Sequence, residues 1–213
     1  MQEALVYLVD DDQDVTRALA CLLESVQLSS RVFHGGAAFL SELNTLNPYA
    51  CVVLDLRMPE LSGMEVLRVM RRRNHTMPAI ILSAHGDVPT AVEAMRLGIV
   101  DFLQKPFNPE HFLETINIAL RTARKNVHEL ERTQTLDVRM QKLSARERDV
   151  LTAMLGGSPS KVIAKELGIS YKTVNVHRAS VMRKLGVQSY QALMSTYSDY
   201  AKGLGVSPDE FEL

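Results

Sequence analysis

The stretch CVVLDLRMPELSG (51–63) decides the fold. Its apolar run leads without interruption into Asp55, and a loop carrying Pro59 and Gly63 turns sharply away. A short Val/Leu run with no polar alternation indicates a strand buried on both faces, the habit of a parallel sheet. An acid at its carboxyl end sits where open α/β sheets hold their ligands. The same design recurs outward from this point. ALVYLV (4–9), SRVF (30–33), AIILS (79–83) and VDFLQ (100–104) read as four further strands. Helical spacing fills the gaps between them, with Val15, Leu19, Leu22 and Val26 on one face, then Phe39 with Leu43, then Met64, Leu67 and Met70. Strands alternating with helices predict an α/β doubly wound, five-stranded parallel sheet with right-handed crossovers.

The strand ends gather the polar groups. The first ends at Asp10, Asp11 and Asp12, the third at Asp55, the fourth at Ser83, and the fifth leads into Lys105 and Pro106. An aspartate accepts a phosphoryl group when charge on the transferring group is neutralised and the nucleophile is held in line. A hard divalent cation with oxygen ligands meets the first need, and magnesium typically takes one or two carboxylates beside several waters. Asp10, Asp11 and Asp55 offer such a cage. Lys105 adds a mobile positive charge that can pair with Asp55 or with the phosphate, and Ser83 a hydroxyl able to donate to it. Asp12 or Asp14 reads as a helix cap.

From Pro109 a long helix is expected. Phe112, Ile116, Leu120, Ala123, Val127 and Leu130 keep a four-three spacing, which serves either as a dimer seam or as a stripe packed on its own domain. The pattern fails at Gln134 and resumes out of phase at Leu136, Met140 and Leu143, predicting a joint at 133–135 after a helix reaching about 131. A second domain opens with Ser144 and Glu147 in capping-box spacing. Four short helices follow, punctuated by Gly156 and Gly157, by Gly168 and by Gly186, with Ser158 and Ser170 as expected N-caps. The segments SKVIAKELG (160–168) and ISYKTVNVHRASVMRKLG (169–186) carry a helix-turn-helix rhythm. Val162, Ile163, Leu167 and Ile169 are expected inside, with Val174, Val181, Met182 and Leu185. Tyr171, Lys172, Thr173, Asn175, His177, Arg178, Ser180 and Arg183 are expected outside, a set suited to phosphates and base edges. In the last helix Ala192, Leu193, Thr196, Tyr197 and Tyr200 make an apolar stripe.

The balance of charge agrees with this division. Residues 1–125 hold 12 Lys and Arg against 15 Asp and Glu, whereas residues 141–202 hold 10 against 4. An acidic front and a basic back fit a regulatory domain followed by a nucleic-acid binder. No run approaches the roughly 18 apolar residues of a membrane span, and no secretory leader is recognisable. Cys21 and Cys51 both read as reduced core thiols, and a cytoplasmic location is expected.

VDDD (9–12), DLRMPELSG (55–63), SAHGD (83–87) and KPF (105–107) together resemble the motifs of two-component response-regulator receivers. LSARERDVL (143–151), followed by the segments at 160–186, resembles a LuxR-type output domain, and the whole chain is most similar to the FixJ-like branch. The resemblance implies a receiver at 1–125 with sheet order 2-1-3-4-5, as in flavodoxin. It further implies a helical linker at 126–141, an all-α four-helix helix-turn-helix domain at 142–203 and an acidic tail at 204–213. It makes Asp55 the phosphoacceptor, with magnesium held by Asp10, Asp11, Asp55 and the backbone carbonyl of Arg57. Ser83, Phe102 and Lys105 become the switch, with a cis peptide between Lys105 and Pro106, and residues 88–97 and 101–112 form the face they remodel. His85 is read as a loop residue beside that switch. Lys161, Lys172, Thr173, Asn175, Val176, Arg178, Ala179 and Arg183 fall where the family approaches DNA. Some relatives carry lysine at the positions of Asn175 and Ala179, which leaves the base preference of this chain its own.

The implied function is a transcriptional activator switched by a partner sensor histidine kinase. It would bind promoter DNA as a homodimer, formed on phosphorylation or on DNA, and contact RNA polymerase. No enzymatic activity is expected beyond the receiver's own phosphoryl transfer and dephosphorylation. A haloacid-dehalogenase-like phosphatase would need a second aspartate two residues after Asp55, where this chain has Arg57. A phosphorylation-independent receiver would not need the full acid pair with Lys105.

Overall fold

In the computed structural model of the protein, residues 4–84 and 88–203 are described, with side chains for 4–84 and 88–197. His85, the tail at 204–213 and the side chain of Tyr200 therefore lie outside the described residues. The chain divides into two compact units between Glu129 and Leu130.

In the first unit, strands β1 (Leu5–Val9), β2 (Ser29–Phe33), β3 (Cys51–Asp55), β4 (Ala79–Ser83) and β5 (Asp101–Gln104) form one sheet. Their order is β2-β1-β3-β4-β5, and every neighbouring pair is parallel. Helices α1 (Gln13–Ser25), α2 (Gly36–Glu42), α3 (Gly63–Arg72) and α4 (Val88–Arg96) make the crossovers, and α5 (Pro109–Gln141) follows the last strand. The two-residue period of a strand sends alternate side chains to opposite faces. Val6, Leu8, Val53, Ile80 and Leu82 join α1 and α5 through Leu19, Leu23, Phe112 and Ile116. Tyr7, Val9, Val52, Leu54 and Ile81 join the other layer through Phe39, Leu67, Met70 and Ala94. Each such side chain contributes about 1.5–3 kcal/mol on burial, so the sheet is clamped from both faces.

The central strands β3 and β4 are buried throughout, and β1 from Val6 onward. The edge strands β2 and β5 are partly exposed, because each lacks a neighbour on one side. Cys21 is exposed, against expectation, and only Cys51 is a core thiol. The buried stripe of α1 runs through Thr16, Leu19 and Leu23, which turns Cys21 outward. Val26, at the C-cap, is also exposed.

Helix α5 needs a second correction. It runs unbroken through 133–135, where a joint was expected. That segment contains no Gly or Pro, and the hydroxyl of Thr135 donates to the carbonyl oxygen of Glu131 one turn back, so nothing interrupts the helical ladder. What changes is the buried face. Phe112, Ile116, Ala119 and Leu120 belong to the first unit's core, and Ala123 is buried one turn further on. Leu130 is exposed, and Leu136 and Met140 pack in the second unit's core.

The second unit contains α6 (Ala145–Leu155), α7 (Ser160–Leu167), α8 (Tyr171–Leu185) and α9 (Tyr190–Gly203). Ser144 and Glu147 close the expected capping box. At α7 the N-cap is Pro159 rather than Ser158, which is buried. Gly168 turns α7 into α8 at φ 63°, a left-handed conformation that suits glycine. Ser170 caps α8 by accepting from the backbone N–H of Thr173. Ile163, Val174, Val181, Leu185, Leu193 and Tyr197 form the core. Val162, expected inside, is 41% exposed. Leu193 and Tyr197 are fully buried, so the inner part of the α9 stripe serves its own domain.

Candidate functional site

Sheet register brings the first site together. Val9 pairs with Leu54, Asp55 with Leu82, and Ser83 with Gln104, so Asp10, Asp55, Ser83 and Lys105 meet at the carboxyl edge of the sheet. Backbone bonds seal that edge. The N–H of Leu56 donates to the carbonyl oxygen of Leu82 at 2.7 Å, and that of Lys105 to Ser83 at 2.7 Å. The Lys105–Pro106 peptide is cis, as expected.

Asp10 and Asp55 are buried, whereas Asp11 is exposed. One carboxylate oxygen from each of the three lies within 4.8 Å of the others. This all-oxygen set is the hard donor type that magnesium takes, so the residues fit the ion. Lys105 Nζ bridges the acids, donating to Asp55 Oδ1 at 2.6 Å and to Asp10 Oδ2 at 2.9 Å. The backbone N–H of Arg57 donates to Asp55 Oδ2 at 2.7 Å, and that of Asp12 to Asp10 Oδ1 at 2.9 Å. Asp12 itself caps α1.

Burial pushes the Asp55 carboxyl above the usual carboxylate range; Lys105 opposes the rise and the charge of Asp10 adds to it. For Lys105, burial works against the charged form, but hydrogen bonds and charge from Asp55 and Asp10 outweigh it and raise the ammonium. Ser83 is buried at the end of β4, and Phe102 is half-buried against the layer containing Leu54 and Ile81. The loop 56–62 approaches this cluster closely. Its Glu60 adopts φ 65°, and Gly63 packs its α-carbon against the backbone of Asp55.

The second site lies on α8. Lys172, Asn175, Val176, Ala179 and Arg183 are exposed at helical spacing along one face. Thr173 and Arg178 are half-buried, and Lys161 is exposed on α7. Ser180 was expected outside and is not. It donates to Glu147 Oε1 at 2.7 Å, while Lys184 Nζ donates to Glu147 Oε2 at 2.6 Å. Glu147 is thus a buried anchor between α6 and α8. Its carboxyl is held down to about 2 by Lys184, then Ser180 and the N–H of Ser144. Capping-box spacing reveals one role of this residue; its partners 33 and 37 positions away leave no local signal.

Three arginines were also missed. Arg139 donates to the carbonyl oxygen of Leu185 at 2.9 Å, and Arg146 to that of Leu167, so guanidinium groups close the carboxyl ends of α8 and α7. Arg71 ties the loops at the other end of the sheet, donating to the carbonyls of Leu97 and His75. That region also holds a groove of about 680 Å³, remote from the acids.

Comparison with known proteins gives each unit a family. Residues 6–117 match the response regulator receiver domain, and residues 141–196 match the bacterial regulatory proteins of the luxR family. The chain belongs to the response regulators with a LuxR-type DNA-binding domain. The response regulator TmoT of Ectopseudomonas mendocina is 40% identical over 193 residues, 91% of this chain and 87% of that relative. The transcriptional regulatory protein FixJ of Bradyrhizobium diazoefficiens is 40% identical over 189 residues, 89% of this chain and 92% of its own length. Among solved structures, the response regulator StyR superposes with a TM-score of 0.81 at 34% identity, covering 93% of this chain and all of that one (100%). Full-length FixJ from B. japonicum gives 0.57 at 37% identity, covering 96% and 99%. No helix among the described residues of this response regulator is long and apolar enough to cross a membrane.

Proposed function

We propose that this response regulator is a transcriptional activator whose promoter binding is switched by phosphorylation of Asp55. The observation that carries the reading is the buried Asp55 carboxylate, with Lys105 Nζ 2.6 Å from one oxygen and the Arg57 N–H 2.7 Å from the other. This contact set orients a nucleophile and keeps positive charge beside it, the two requirements of phosphoryl transfer. A sensor histidine kinase supplies the group as a phosphohistidine. An Asp55 oxygen attacks phosphorus, the P–N bond breaks, and the neutral imidazole departs with a proton. Asp10, Asp11, Asp55 and the carbonyl of Arg57 would hold magnesium, which offsets charge on the transferring group. Lys105 can then exchange its carboxylate partner for a phosphate oxygen.

The output is a population shift. Ser83 moves toward the phosphate, Phe102 turns into the space released, and the surface of α4, β5 and the start of α5 is remodelled. Val88, Val92 and Met95 of α4 are exposed apolar groups on that surface. Dimerisation follows, either on phosphorylation or on DNA, and lets two copies of α8 read paired half-sites. In that reading Lys161, Lys172, Thr173, Asn175, Val176, Arg178, Ala179 and Arg183 approach DNA, and the bound dimer contacts RNA polymerase in the cytoplasm. The domains are a receiver at 1–125, a linker at 126–141 and the output at 142–203, followed by the acidic tail at 204–213.

The deciding experiment treats the full chain with a small phosphodonor and magnesium, then measures intact mass and duplex binding. Wild type should gain one phosphate and bind its site more tightly, and Asp55→Ala should do neither. Phosphate uptake that survives the substitution would refute the assignment.

A further inference from the structure

The exposed face of α8 mixes chemistries that bind different parts of a duplex. Lys172 and Arg183 stand at its ends, about 16 Å apart along the helix axis at the usual rise. Between them the exposed groups are Asn175, Val176 and Ala179, with no further cation on the stripe. Val176 is 61% exposed, an unusual position for a β-branched apolar side chain in the middle of a polar face. Among the half-buried polar groups nearby, Thr173 pairs with Ser170, and Ser180 and Lys184 bind Glu147, while His177 and Arg178 flank the stripe. The fully exposed middle of the stripe thus presents one amide, one branched apolar group and the short side chain of Ala179.

Resting on the DNA-binding reading above, we propose that α8 reads an A·T-centred half-site, with Asn175 recognising adenine and Val176 packing on a thymine methyl. A primary amide presents a donor and an acceptor side by side. In the major groove adenine offers the complementary pair, its N7 acceptor and N6 donor, whereas guanine offers two acceptors. With guanine the Asn175 carbonyl would face another acceptor and remain unpaired. Thymine is the one base that carries a C5-methyl, the apolar feature that Val176 fits. Lys172 and Arg183, at the ends of the stripe, suit backbone phosphates, which position a helix without reading sequence. Ala179 is too short to read a base edge by hydrogen bonding and leaves room for the helix to sit close to the groove floor.

The test selects bound duplexes from a random library, using the full chain treated with acetyl phosphate and magnesium. An A·T pair should be enriched at a fixed place in each half-site, with a preference over G·C of about tenfold to a hundredfold. Asn175→Ala should lose that preference, and Asn175→Lys should move it toward guanine. Replacing the contacted thymine by deoxyuridine should weaken wild type about fourfold, the worth of one methyl group, and leave Val176→Ala unchanged. Both side chains are exposed, so these variants test contact rather than folding. A guanine at the Asn175-dependent position, or equal loss on the deoxyuridine site for wild type and Val176→Ala, overturns this inference alone. Failure to enrich any site overturns it together with the DNA-binding reading.

Discussion

A β-carbon placed on Gly63 would lie 2.3 Å from the backbone carbonyl oxygen of Asp55. No side chain tolerates that approach, and the obstacle is backbone, which cannot swing aside as a flexible side chain can. Gly63 is also the first residue of α3, and its N–H donates to the carbonyl oxygen of Leu56 at 3.1 Å. The helix start and the acidic residue are thus held against each other, and space at residue 63 sets where Asp55 sits. Gly63→Ala should cost about 1–3 kcal/mol of stability as overpacking and slow phosphate uptake at least tenfold by moving the carboxylate. Stopped-flow phosphorylation beside thermal unfolding checks both, and an unchanged uptake rate would show that the displacement is absorbed elsewhere.

The direction in which Asp55 is shifted fixes a stability effect. Burial raises its pKa, so the folded chain holds this proton more tightly than the unfolded chain does. The ionised carboxylate therefore costs stability, and the cost grows as pH rises from the unfolded value through the raised folded one. Asp55→Asn in metal-free buffer should then melt higher than wild type by roughly 2–4 °C. A lower melting temperature would mean that the contact with Lys105 is worth more than the burial costs.

Glu147 titrates in the opposite sense. Its carboxyl is held down to about 2, so its stabilising contribution is complete above the free value of about 4.3 and disappears as pH falls from there through about 2. Removing one member of such a buried pair is costly, because Lys184 and Ser180 lose their partner. Glu147→Ala should destabilise the second unit by about 3 kcal/mol and flatten its acid unfolding over that window. Urea titrations at pH 7 and pH 3 measure the difference, which should narrow at the lower pH.

In the proposed switch, Ser83 should separate uptake of phosphate from its consequence. It is buried beside the acids but is neither the nucleophile nor part of the carboxylate set. Ser83→Ala should accept phosphate from a small donor within about threefold of the wild-type rate, since the oriented nucleophile is intact. The gain in DNA affinity on phosphorylation should be lost. Fluorescence anisotropy on a labelled duplex distinguishes the two, and a full gain in the variant would remove Ser83 from the switch.

Much of this architecture was legible in local pattern. The inner strands β1, β3 and β4 announce themselves through apolar runs, and Asp10 and Asp55 stand where the runs of β1 and β3 stop. Ser144, Ser170, Gly168 and Gly186 mark helix ends because capping chemistry is decided within four residues. What escaped depends on partners far apart in sequence. Ser180 looked outward on α8 until Glu147 was found beneath it, and Arg139 reads as a surface charge until Leu185 is brought to it. Cys21 misled because helix α1 carries more apolar residues than its buried stripe can use. At 133–135 the hydrophobic phase does shift, but a phase shift reports a change of packing partner and need not break a helix.

Helix α5 therefore has two owners. Phe112 through Leu120 complete one core, and Leu136, Met140 and Arg139 serve the other. Anyone grafting this output module onto a foreign sensor domain should splice near residue 130. A splice at 142 would discard Leu136 and Met140 from the core and strip α8 of its guanidinium cap, and the transplanted reader would reach DNA already loosened.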